Sequence, residues 1–366
     1  MDDFNPENIP NDEIEKFLKN HDRFMEENSA AMDCIRERRF ADALELLSAA
    51  ADRGNVLAVV DLGLAYYRGV HGNPDLKTAI FYLESAAAQG AVSAVNILSQ
   101  IYFDDSHDYY NQDKGLAFLR YAAHKGDSNA MLDLGKRLYE GDKVNQSLAD
   151  AIKWWGRAAN NGDSRGYTNL GRIYLYGLGV EIDLPYAAGL LEKAALAGNP
   201  EGQFHLGLMY EAGYGVEQDY DQSVNLFRLA AWQGHIQAFE KMAAAYEFGR
   251  GVDIDYEVAQ DWCRKAIESG SVKAKTSLGS LIGRGLGCPE DRIESMRLYL
   301  EAADEGDVTA AYNAGVRLVN GDGIERDIGR GVAYLEYAAD HGDDEAAQVL
   351  VDLKAHFSRQ NGSLDS

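Results

Sequence analysis

Between residues 199 and 234 the core-type positions recur every three to four places, in two runs separated by a glycine-rich break. Gln203, Leu206, Gly207 and Tyr210 form the first run, and Ser223, Leu226, Phe227, Ala230 and Ala231 the second. That spacing places each set on one face of a helix. Gly213-Tyr214-Gly215-Val216 stops the first helix, and Asp219 stands where it can cap the second. Asn199 precedes Pro200, a residue whose missing N–H costs nothing in a first helical turn. Gly234 closes the stretch where a left-handed residue terminates a helix. The unit reads helix A, loop, helix B, turn, and requires no strand.

The closing glycine recurs at Gly54, Gly90, Gly126, Gly162, Gly198, Gly234, Gly270, Gly306 and Gly342, always 36 residues apart. A fixed period of this size marks a stacked array whose units pack only on their neighbours. An array escapes the size limit of a single core, which a chain of 366 residues would exceed. The caps keep the same period. Asn55, Asp127, Asp163, Asn199, Ser271, Asp307 and Asp343 open helices A, with Ala91 and His235 as exceptions; Asp75, Asn111, Ser147, Asp183, Asp219, Asp255, Asp291 and Asp327 open helices B. Gly63, Gly135, Gly171, Gly207, Gly279 and Gly315 share one phase of helix A. A glycine there costs about 1 kcal/mol against alanine, so its repetition predicts a very close neighbour. About eighteen helices are expected.

Residues 1–27 are acidic and carry an apolar stripe of Ile14, Phe17, Leu18 and Phe24 at helical spacing, which suits a helix capping the first repeat. The repeats span 28–357, beginning with a shortened unit and ending with a half-unit. The polar tail 358–366 is expected to fray.

Leu170-Gly171-Arg172-Ile173-Tyr174, then Gly177-Leu178-Gly179-Val180 and Asp183, then the Ala-Ala-x-x-Gly ending, resemble the Sel-one-like repeat, a relative of the tetratricopeptide repeat. The resemblance covers about residues 28–357. It implies an all-α fold, a right-handed α/α solenoid of about nine 36-residue repeats, with helices A lining a concave face. It also implies non-catalytic scaffold or adaptor work on a protein or peptide. Carried over from tetratricopeptide arrays, the groove-facing positions are Asn129, Lys136, Tyr139, Arg165, Arg172, Tyr176, Phe204, Leu208 and Phe248. Lys136, Arg165 and Arg172 would be a basic island, open to a partner or balanced by neighbouring acids. Tyr139 and Tyr176 have an alternative role in completing the hydrophobic seam. Gly141-Asp142-Lys143-Val144 and the loop 104–110 depart from the family loop.

The net charge of −24 repels nucleic-acid phosphates and anionic lipid, so neither is an expected partner. It suits a basic or neutral protein. A second reading follows: a cytoplasmic immunity or neutralising protein that binds a basic toxin or effector. Three cysteines, Cys34, Cys263 and Cys288, form no CxxC pair, which fits a reducing, cytoplasmic setting. The acidic start lacks a secretory signal, and no run of 18 apolar residues exists.

Candidate chemistry is sparse. Gly-x-Gly at 177–179, 213–215, 249–251, 285–287 and 321–323 lies between helices, not between a strand and a helix as a dinucleotide site requires. Asp104, Asp105, His107 and Asp108 hold metal-type donors without a recognised spacing. No catalytic, cofactor-binding or metal-binding residue is assigned, and a monomeric, non-enzymatic protein is expected.

Overall fold

The computed structural model describes residues 29–34, 36–37, 39–69 and 74–362. The segment 1–27 with its expected capping helix, and the chain beyond 362, lie outside the described residues. Among the described residues every regular element is helical. A helical stretch at 29–34 is followed by eighteen helices. The chain divides into two compact units, Met1–Gly166 and Tyr167–Ser366. The first holds α1 (Phe40–Asp52), α2 (Val56–Arg68), α3 (Leu76–Ala88), α4 (Val92–Phe103), α5 (Gln112–His124), α6 (Ser128–Glu140), α7 (Leu148–Asn160) and the start of α8 (Ser164–Tyr176). The second holds the rest of α8, then α9 (Leu184–Leu196), α10 (Pro200–Ala212), α11 (Tyr220–Trp232), α12 (Ile236–Phe248), α13 (Tyr256–Glu268), α14 (Val272–Gly283), α15 (Arg292–Asp304), α16 (Val308–Asn320), α17 (Ile328–Asp340) and α18 (Asp344–Gly362). The last helix thus runs five residues past the repeat end at 357.

A helix of thirteen residues such as α10 is too short to persist alone in water, so packing and end groups must hold it. The end groups are systematic. All eight residues opening helices B accept a backbone N–H of the first turn through the side chain, as Asp219 does from Gln222. Asn55, Asp127, Asn199, Ser271, Asp307 and Asp343 do the same for helices A. His235, which the sequence marks as an exception, also caps: its Nδ1 accepts from the Ala238 N–H at 3.3 Å. All nine closing glycines have φ between +79° and +97°, the left-handed termination the period predicts.

The mid-helix glycines are explained by one register. A Cβ on Gly63, Gly135, Gly171, Gly207 or Gly315 would lie 2.4–2.7 Å from the side chain twenty residues on, respectively Leu83, Trp155, Leu191, Phe227 and Leu335. On Gly279 it would lie 3.1 Å from Tyr299. These six helices A therefore each accept a large side chain of their own helix B against bare backbone. The loop glycines serve the contact between repeats. A Cβ on Gly215, Gly251 or Gly287 would lie 2.3–2.6 Å from the backbone of Leu184, Tyr220 or Tyr256, the first residue of the preceding helix B. Lys143 takes this loop position in the first unit with φ +57° and is the described non-glycine residue with positive φ. Its Nζ donates to the Phe103 carbonyl and its own carbonyl accepts from Gln112 at 2.8 Å.

In the second unit a further contact links α8, α10, α12 and α14 each to the cap of the next helix A, thirty-one residues on. Thr168 donates to Asn199 at 3.2 Å and Thr276 to Asp307 at 3.0 Å. Glu240 accepts from Ser271 at 2.6 Å. Phe204 stacks on His235 with centroids 4.5 Å apart. Below these links runs a core of Phe204, Phe227, Met242, Trp262, Leu281 and their buried neighbours.

Candidate functional site

The nine residues carried over from the repeat pattern fall in both units. In the first, Asn129 is exposed and accepts from Arg165 Nη2 at 2.7 Å. Arg165 also grips both carboxylate oxygens of Asp163, at 3.0 and 2.6 Å. These hydrogen bonds pull Asp163 below the usual carboxylate range and push the guanidinium up. Lys136 is exposed. Tyr139 is half-buried with its ring 5.7 Å from Trp155, so it packs in the seam between helices A and B.

In the second unit the remaining five, Arg172, Tyr176, Phe204, Leu208 and Phe248, meet in one groove of about 750 Å³ formed by α8, α10, α12 and α14. Tyr176 and Phe248 stand at 49% and 57% exposure. Phe204, expected to project, is 5% exposed because it packs on Phe227 and His235, and so it forms floor. Leu208, Ala243, Ala244 and Cys263 extend that apolar lining. Burial pushes the Cys263 thiol up to about 12, which leaves it protonated and inert as a nucleophile.

A chain of hydrogen bonds runs under the Tyr176 end. The Glu201 carboxylate accepts from Nε2 of His205 at 3.1 Å and from Nε2 of His235 at 3.0 Å. Arg172 Nη1 lies 3.6 Å away. A backbone N–H can only donate, so His235 Nδ1, facing Ala238, is an acceptor and its proton is on Nε2. With His205 Nε2–H likewise donating to Glu201, the Tyr176 hydroxyl donates to His205 Nδ1 at 3.2 Å. The hydrogen bonds of His205 and His235 hold Glu201 far below the ordinary carboxylate range. The repeat pattern did not single out Glu201 or His235. An acid in a first helical turn reads as a solvated residue complementing the helix dipole, and only the fold brings His235 to it.

Further along, Lys241 is engaged by Glu211 at 2.6 Å and Glu240 by the Ser271 hydroxyl. Glu247 is largely buried, with Arg284 at 3.5 Å. Burial pushes Glu247 upward, and Arg284 offsets this only in part. Elsewhere, in the loop 104–110, Asp104 accepts from the Ser106 N–H and His107 from the Tyr109 N–H, turn bonds that use these side chains locally. Among the described residues no cluster of three or more His, Cys, Asp or Glu side chains could hold a metal. Nor is any described helix long and apolar enough to cross a membrane.

A tandem array of paired helices with these caps and glycine contacts defines an α/α repeat protein. The Sel1 repeat matches residues 56–90, 93–127, 128–163, 164–199, 200–235, 240–271, 272–307 and 308–343. The chain belongs to the Sel1 repeat family. A Sel1 repeat protein from Oxalobacter formigenes is 29% identical, with a TM-score of 0.63, over 84% of this chain and 89% of that one. A protective antigen of uropathogenic Escherichia coli with the same repeat fold is 26% identical, with a TM-score of 0.48, over 93% and 81%. An immunity protein from Pseudomonas aeruginosa is 19% identical, with a TM-score of 0.39, over 59% and 83%. No curated protein matches this chain in sequence. Repeats of this family generally mediate protein–protein interaction on a scaffold that is typically non-enzymatic.

Proposed function

We propose that the chain is a non-catalytic interaction scaffold of the cytoplasm whose α8–α10–α12–α14 groove holds a protein or peptide. The supporting observation is the pair of exposed rings, Tyr176 and Phe248, beside Arg172 over an apolar floor. Aromatic and arginine side chains are the types that most often anchor interfaces. The three free cysteines fit a reducing compartment. The test uses the full chain and the double variant Arg172→Glu, Tyr176→Ala. Partners captured by each are compared, and the affinity of any purified partner is measured by calorimetry. Loss of two anchors should weaken binding by about 100-fold or more. Melting should change little, since both side chains are exposed. Unchanged affinity would move the site off this groove, and an unfolded variant would make the two residues structural.

The charge of −24 favours a second reading, a neutralising protein for a basic toxin. A single basic partner whose activity stops at one equivalent of this chain would select it over the scaffold.

A further inference from the structure

The groove's charges differ in how far the fold already satisfies them. Glu201 has two histidine donors and Arg172; Lys241 has Glu211. Glu240 receives a neutral hydroxyl and has no cation within ion-pair distance among the described residues. Glu247 is largely buried, and Arg284, its cation, is itself more than half exposed and does not line the groove. A carboxylate removed from water without a close cation is the costlier charge to leave alone. Beside the two acids lie Ala243, Ala244 and Leu208, a surface an alkyl stem can follow, and the ring of Phe248, which is exposed although the Arg250 guanidinium already lies 5.5 Å from its centroid. Lys273 stands on the α14 wall without a partner among the described residues, and it is exposed, so its charge is already hydrated.

From this arrangement we propose that the groove takes a lysine or arginine side chain of its partner. The stem lies on Leu208 and Ala244, and the cationic head lies between Glu240, Glu247 and Phe248. The chain's net charge of −24 would draw a basic segment toward it from a distance. The inference rests on the groove being the binding site.

Hexylguanidinium, hexanol and hexanoate, which share an alkyl length, separate the two ideas. Each is titrated into the full chain labelled at alanine and leucine methyls, and the Leu208, Ala243 and Ala244 resonances are followed. Hexylguanidinium should bind about fivefold to tenfold more tightly than hexanol, the range expected of one partly desolvated charge pair. Hexanoate should bind no better than hexanol. In the double variant Glu240→Gln, Glu247→Gln the preference should vanish while hexanol binding and the melting midpoint stay. Equal binding of hexylguanidinium and hexanol, stronger hexanoate binding through Lys273, or a preference that survives in the variant would each overturn the cation assignment and leave the groove standing. If no probe moves these methyls, the groove reading falls with it.

Discussion

Gly207→Ala and Gly189→Ala make the same chemical change in two helices and should act in opposite directions. Both gain helix propensity worth up to about 1 kcal/mol. At Gly189, on α9, a new Cβ meets nothing within 4 Å, so the gain should appear as stability. At Gly207, on α10, the Cβ would sit 2.7, 2.9 and 3.3 Å from three ring carbons of Phe227. Ordinary carbon contacts lie at about 3.5–4.0 Å, so the ring must retreat by nearly an ångström. Phe227 is 2% exposed and is held by Phe204 on one side and the α10–α13 core on the other. Overpacking of this kind costs about 1–3 kcal/mol, leaving a net loss of about 1 kcal/mol, up to ~2, after the propensity gain. Urea unfolding of both variants, followed by circular dichroism and by tryptophan fluorescence, measures the difference. Coincident transitions would license the comparison. Ala243 occupies the glycine phase in the following repeat, and there the register sets the small Cys263 opposite it. Gly207→Ala with Phe227→Cys should therefore lose less than the sum of the two single changes. If Gly207→Ala stabilises as much as Gly189→Ala, close approach is not why glycine stands at this phase.

Other positions give sharper single readings. Gly198→Val places a β-branched residue at φ +79° in otherwise open space, so strain alone should cost about 1–3 kcal/mol; an unchanged midpoint would refute the left-handed cap. His235→Ala should cost about 0.5–2 kcal/mol through the lost α12 cap, and His235→Asn should restore most of it by keeping an acceptor there; equal losses would show that the ring acts only through Glu201. Glu201 has a folded-state pKa below its unfolded value. Its stabilisation is therefore complete above about pH 4.3 and is lost as pH falls through the lower folded value. The stability gap between wild type and Glu201→Gln should accordingly shrink as pH falls below about 4.3, and a gap that stays constant from about pH 4.5 down to about pH 2.5 would contradict the assignment.

The 36-residue period, the caps and the glycine phases made the helices legible because each is a local requirement. Asp219 answers to Gln222 three residues away, and Gly234 answers to its own φ. The contact of Gly207 with Phe227 was also within reach, since it lies inside one repeat. What the chain hid were contacts between repeats, where the meaning of one residue depends on the identity of another thirty-odd places on. Phe204 reads as an outward aromatic until His235 lies over it. His235 reads as a missing cap because imidazole is rarely used as one, yet it both caps α12 and binds Glu201. Arg165 reads as either open to a partner or balanced by neighbouring acids, and it is held by Asp163 two residues away and also reaches Asn129 thirty-six places back.

The link from α8, α10, α12 and α14 to the next cap also sets how the array can be edited. Removing 36 residues always keeps the period, but the frame of the cut decides which partners meet. A cut from 200 to 235 joins Asn199 directly to α12, so Thr168 still finds Asn199 and Glu240 still finds Ser271. A cut of equal length from 169 to 204 would set Thr168 against His235, a hydroxyl where the ring now has an aromatic face. The exchangeable module therefore begins after the cap residue, not after the glycine. Repeats gained or lost in that frame would pass through duplication without breaking the couplings on either side.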